Sequence, residues 1–233
     1  MRFLLILVSI LFFNPVGQEK KSIYKLVYRD DFNTFNKVHW KKFSHTFANN
    51  LANFNSGNSY IEKGKLILKV DKDSRAAKGI SAAEIRSLQS FKYGKFTVRM
   101  KASATPGIVS AFFLYSPGKE PNPEIDIEFT GKNSGVVHFN HWIDEESHHK
   151  EIDLGFDASK DFHTYSIIWR ANRIDWEVDG KIIYSVREFI PRQSLKLLLN
   201  TWPSKSSDWA GSLNLTDLPA SCEIDYVQIE NFR

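Results

Sequence analysis

The chain has 233 residues, 42% hydrophobic and 14% aromatic, with a formal net charge of +4. That length suits one large domain with a sizeable core, and Lys and Arg scattered among acids leave no basic stripe, so no nucleic-acid partner is expected. A single cysteine, Cys222, excludes an internal disulfide and a cysteine-based metal centre.

Met1-Arg2, an apolar run over 3–13 and the break at Asn14-Pro15-Val16-Gly17 have the layout of an export signal. Residues 1–17 are therefore expected to be a signal peptide and 18–233 one mature domain, secreted or periplasmic and monomeric. The run is too short to span a bilayer comfortably, so no membrane contact is expected of the mature form.

Residues 25–29 and 65–70 alternate as strands do, and 61–65 read as a hairpin turn. The polar and aromatic stretch 43–60 reads as a surface meander or as the lining of a cleft. Residues 81–87, 94–102 and 108–115 continue the period of two, with a turn at 105–107, and no segment of ten residues shows a helical period. Strands follow at 121–131, 135–142 and 162–169, then a hairpin over 173–184 turning at Asp179-Gly180. Residues 195–200 and 222–230 complete the set, separated by a loop that contains Trp202 and Trp209. Many short strands with regular turn signals predict an all-β sandwich of two antiparallel sheets. If one sheet bends, its concave face becomes a groove fitted to an extended polymer.

Within that pattern, Glu124-Ile-Asp-Ile-Glu-Phe-Thr-Gly131 stands apart. As a strand it places Glu124, Asp126 and Glu128 on one face and Ile125, Ile127 and Phe129 on the other. Like charges two residues apart repel and raise their pKa values, which a strand built only for stability avoids; an edge strand with a solvated acidic face is the plain alternative. Two carboxyl groups on a rigid strand, one protonated and one ionised, are what glycosidic bond cleavage needs. Glu124 and Glu128 have Cα atoms roughly 13 Å apart on an ideal strand, and their side chains can lean together to the roughly 5–5.5 Å of a retaining enzyme. Asp126 between them would push the two glutamate pKa values apart. A divalent cation is the rival use of such a set.

Sugar rings stack on aromatic faces, so Phe113, Tyr115, Trp142 and Trp202 are candidate subsites, while Asn49, Glu84, Arg86, Asn140 and Asn200 could address hydroxyl groups. Singly, each has an ordinary reading: Phe113 or Tyr115 as core, Glu84 with Arg86 as a same-face ion pair.

The carboxylate strand resembles the catalytic signature of glycoside hydrolase family 16, in the form used by its bacterial lichenase branch, the endo-β-1,3-1,4-glucanases. One residue separates Asp126 from Glu128, whereas laminarinase-like members usually have two. Further matches are Gly107-Ile-Val-Ser-Ala-Phe-Phe-Leu-Tyr115, Leu154-Gly-Phe-Asp-Ala-Ser-Lys-Asp-Phe-His-Thr-Tyr165 and Trp176-Glu-Val-Asp-Gly180. The resemblance runs from about Phe32 to the C-terminus. It implies a β-jelly roll with a β-glucan across the concave sheet and a retaining double displacement. Glu124 would be the nucleophile, Asp126 its electrostatic helper and Glu128 the general acid/base, with the nine residues named above as substrate contacts. It implies no cofactor for catalysis, and Asp225 aligns with a ligand of a structural calcium.

Departures from the family pattern are Asn122-Pro123 where lichenases carry Trp-Asp, Ala82 in place of a disulfide cysteine, and Phe47 and Trp142 where Tyr is usual. Hydrolysis of laminarin or xyloglucan, transglycosylation and a non-catalytic carbohydrate-binding module remain as alternatives to mixed-linkage glucan hydrolysis.

Overall fold

The computed structural model describes residues 23–116, 122–143 and 146–233; the expected signal peptide lies outside them. The first strands are β1 (Tyr24–Asp30), β2 (Trp40–Lys42), β3 (Asn53–Phe54), β4 (Ser59–Glu62), β5 (Lys65–Lys72), β6 (Ile80–Phe91), β7 (Gly94–Lys101) and β8 (Ile108–Tyr115). They are followed by β9 (Glu124–Thr130), β10 (Val136–Ile143), β11 (Glu146–Ser147), β12 (Lys150–Asp153), β13 (His163–Arg170), β14 (Arg173–Val178), β15 (Lys181–Val186), β16 (Leu195–Pro203) and β17 (Ala220–Phe232). One helical turn, α1 (Ser207–Ala210), lies between the last two strands. No described helix is long and apolar enough to cross a membrane.

Two antiparallel sheets form the sandwich. The outer sheet runs β15-β14-β13-β7-β17, and the far edge of β17 is shared by β5 along its first half and β1 along its second. The inner sheet runs β2-β6-β16-β8-β9-β10, with β11 and β12 on the outer edge of β10. At its end β5 crosses to pair with the start of β6, joining the sheets.

Alternation decides which side chains meet between the sheets. On β9, Ile125, Ile127 and Phe129 have no exposed surface; with Phe112, Leu114, Leu197 and Leu199 they face Phe96, Val98, Tyr165 and Trp176 in one apolar cluster. The carboxylates at 124, 126 and 128 thereby go to the opposite, concave face. A core of this size also accounts for Cys222, which is buried and unpaired.

The turns follow the residues. Asp179 and Gly180 both have positive φ, 47° and 79°, as the two-residue turn between β14 and β15 requires. At Gly131, after β9, an added Cβ would lie 1.8 Å from the carbonyl oxygen of Thr105, so only glycine lets the carboxylate strand end against the 105–107 turn.

The structure extends the sequence expectation in two places. Strands β6 and β17 are longer than the 81–87 and 222–230 segments because each changes partner along its length. The 43–60 stretch contains β3 and the 3₁₀ turn Ser56–Asn58, which fold it back along β6.

Candidate active site

Register builds the floor of the site. Directly opposed residues on an antiparallel pair share a face. One row therefore runs Glu84, Asn200, Ala111, Glu128 and His138 across β6, β16, β8, β9 and β10, and the next runs Arg86, Leu198, Phe113, Asp126 and Asn140. Tyr115 and Trp142 flank Glu124. Five strands thus place on one concave surface the residues that the sequence scatters over more than a hundred positions.

The cleft above these rows has a volume of about 740 Å³. Glu124, Asp126 and Glu128 line it together with Glu84, Arg86, Phe113, Tyr115, Asn140, Trp142, Asn200 and Trp202. Asn49 is not among the lining residues. It is exposed on the loop before β3, and its carbonyl oxygen accepts from the Lys205 amide at 2.9 Å. That loop instead lends His45 and Phe47 to the wall, and Trp209 of α1 and His149 complete it. Of these, only the aromatic character of 43–60 and the tryptophans of the 201–209 loop left a trace in the sequence. The position of His149 depends on β12 pairing with β10, which no local pattern announces.

Glu84 is 3% exposed and fully engaged. Arg86 Nε donates to its Oε1 at 2.6 Å, His45 Nε2 lies 2.9 Å from the same oxygen, and Asn200 Nδ2 donates to Oε2 at 3.4 Å. The Arg86 guanidinium also sits 3.9 Å over the Phe43 ring. This side of the cleft therefore presents a fixed, nearly neutral cluster of donors and acceptors. Aromatic walls border it: Phe47 meets Trp202 edge-on at 4.9 Å between centroids, and Trp202 and Trp209 are 6.3 Å apart.

The three carboxylates sit where water is scarce, although Glu124 and Glu128 keep part of their surface open to the cleft. Burial, then the charge of Glu128, pulls Glu124 up to about 8. Burial also pulls Glu128 up, to about 7. Asp126 is raised well above its usual value by burial and by the charges of both glutamates. A side-chain hydrogen bond between Asp126 and Glu124 raises the former and lowers the latter, so within this bond Asp126 is the donor and Glu124 the acceptor. From below, Trp176 Nε1 donates to the backbone carbonyl of Asp126 at 2.9 Å. At the far end of the same floor, burial pushes His138 down to about 4, so it is neutral at pH 7.

Asp225 lies on the outer sheet, away from the cleft. Its Oδ2 accepts from Arg99 Nη1 at 2.5 Å.

The profile described as "Glycosyl hydrolases family 16" matches residues 27–228. The chain belongs to glycosyl hydrolase family 16. It is 36% identical over 206 residues to a beta-glucanase of Bacillus subtilis, covering 85% of this chain and 84% of that protein. It is 39% identical over 198 residues to a beta-glucanase of Acetivibrio thermocellus, covering 83% of this chain but spanning only 54% of that relative. Among solved structures, a prokaryotic beta-1,3-1,4-glucanase (lichenase) derived from a mouse hindgut metagenome superposes with a TM-score of 0.82 at 33% identity, covering 87% of this chain and 97% of that one. The laminarinase catalytic domain from Thermotoga maritima, at 22% identity and a TM-score of 0.80, shares the fold. This family 16 chain is thus a jelly roll with its cleft on the concave sheet.

Proposed function

We propose that the chain is an exported endo-β-glucanase that hydrolyses mixed-linkage β-1,3-1,4-glucan with retention of anomeric configuration. The observation that carries this reading is the single row of Glu124, Asp126 and Glu128 on the floor of an open, aromatic-walled cleft. The beta-glucanase and lichenase names of relatives above 30% identity support the choice of polymer.

In the first step an oxygen of ionised Glu124 attacks the anomeric carbon of the bound sugar. The bond to the leaving oxygen breaks, and that oxygen takes the proton of Glu128. Glu128, raised to about 7, keeps its proton into the neutral range, whereas at Glu124, itself raised to about 8 by burial and by Glu128, the Asp126 hydrogen bond is the contact that favours the ionised form. Asp126 donates its hydrogen bond to Glu124, favouring the charged nucleophile before attack. In the second step Glu128, now a base, removes a proton from water; the hydroxide adds to the anomeric carbon and Glu124 leaves as carboxylate. Chain polymers lie along the cleft because it is open, with Tyr115 and Trp142 beside Glu124 as stacking surfaces. The Glu84, Arg86 and Asn200 cluster addresses hydroxyl groups on the other side.

Incubation with barley β-glucan, laminarin, xyloglucan and agarose tests the reading. New reducing ends are expected from barley β-glucan above the others, with the β-anomer formed first by NMR. Preference for laminarin or xyloglucan, longer products instead of shorter ones, or binding without cleavage would each replace it with another reading.

A further inference from the structure

The far edge of the cleft holds a group of side chains that the hydrolytic reading does not use. Glu151 of β12 stands directly opposite His138 of β10 in the sheet register, and His149 lies one residue before β12. His138 Nδ1 is 3.5 Å from Glu151 Oε1, and His149 Nε2 is 3.4 Å from the same oxygen. The three donor atoms all lie within 4.8 Å of one another.

We propose that His138, His149 and Glu151 form a zinc-binding site at the Trp209 end of the cleft. Two imidazole nitrogens and one carboxylate are a donor set for a divalent ion of intermediate softness, and zinc takes such sets with tetrahedral geometry. Ligand bonds of about 2.0–2.1 Å put neighbouring donors of a tetrahedral site roughly 3.3 Å apart. Two of the three edges here already have that length. A protonated histidine closes on a glutamate to about 2.7–2.9 Å; His138 Nδ1 accepts from Trp209, so it and Glu151 Oε1 face each other at 3.5 Å as two acceptors, a pair that a cation between them would satisfy. The third edge closes by rotation of His149, whose side chain is 40% exposed.

The tautomer of His138 is also fixed. Trp209 Nε1 donates to His138 Nδ1 at 3.3 Å, which makes Nδ1 the unprotonated, acceptor nitrogen. An ion bound there takes the place of the indole N–H as the partner of Nδ1. The Glu151 side chain is 59% exposed, so water reaches the remaining coordination position. Because His138 is opposite Glu128 in register, the ion sits on the same floor as the acidic row. Metal uptake stands independently of which polymer the cleft takes.

The test is titration of zinc chloride into the full chain by calorimetry, with metal content measured after dialysis. One zinc per chain is expected, with affinity at least tenfold weaker in both His149→Gln and Glu151→Gln. Both substituted positions are exposed, and unchanged metal-free thermal midpoints confirm that the variants fold. Cobalt in place of zinc should give the visible absorption of a four- or five-coordinate ion. Absence of uptake by the wild-type chain, or undiminished uptake in either variant, overturns the site.

Discussion

The indole N–H of Trp176, on the outer sheet, reaches across the core to the main-chain carbonyl of Asp126 at 2.9 Å. It therefore holds the middle of the strand whose other face carries three mutually repelling carboxylates. Trp176 has no exposed surface, so the bond is made in a water-free interior. Replacing Trp176 by Phe keeps most of the packing and removes the donor. A loss of ~1–3 kcal/mol in urea unfolding is expected, with kcat falling more than KM changes. An unchanged kcat would show that β9 is positioned without this bond.

Arg86 tests the opposite wall. Arg86→Ala leaves Glu84 as a buried carboxylate with a missing partner. Loss of one member of a buried pair costs about 3–5 kcal/mol, and the low end is expected because His45 and Asn200 still reach Glu84. The double variant Glu84→Gln with Arg86→Ala should recover part of that loss in the same unfolding measurement.

The acidic row makes a prediction about pH. Burial raises the Glu128 carboxyl from its ordinary range near 4.5 to about 7. Below pH 4 it is protonated in folded and unfolded chains alike, and its raised pKa has no net effect on stability. Between about 4.5 and 7 the unfolded chain releases this proton more readily than the folded one, so stability is lost as pH rises. Glu128→Gln should therefore raise the thermal midpoint relative to wild type at pH 8 and not at pH 4. The same variant should lose activity roughly a hundred- to ten-thousand-fold, the usual contribution of a general acid/base. An equal midpoint difference at both pH values would contradict the burial of this carboxyl.

Asn49 and His45 separate the cleft wall from its surroundings. His45→Ala removes a partner of both Glu84 and Arg86 and should raise KM on β-glucan severalfold. Asn49→Ala, on an exposed loop outside the cleft, should leave KM and kcat unchanged. Steady-state kinetics on the two variants checks both.

Much of this architecture could be read from residue order because alternation is a local signal. Ile125, Ile127 and Phe129 between three acids already specify which face of β9 is buried, and Asp179-Gly180 specifies the hairpin of β14 and β15. Pairing between distant strands is not local. His149 reaches the cleft only because β12 adds to β10, and Trp176 meets Asp126 only because the two sheets pack with that alignment. The place of Asn49 is set in the same non-local way. It sits on a loop whose path follows the Asn50–Ser204 bridge and the short pairing of β3 with β6, and from that loop His45 and Phe47 line the cleft.

The central claim is that Glu124 attacks the sugar on a β-glucan chain. Its most direct measurement is the release of reducing ends from barley β-glucan by wild type and by Glu124→Gln, at equal concentration and with binding monitored separately. The account predicts turnover by the wild type and a fall of roughly a thousandfold or more in the variant, with polymer binding retained. Near-full activity in Glu124→Gln would contradict it.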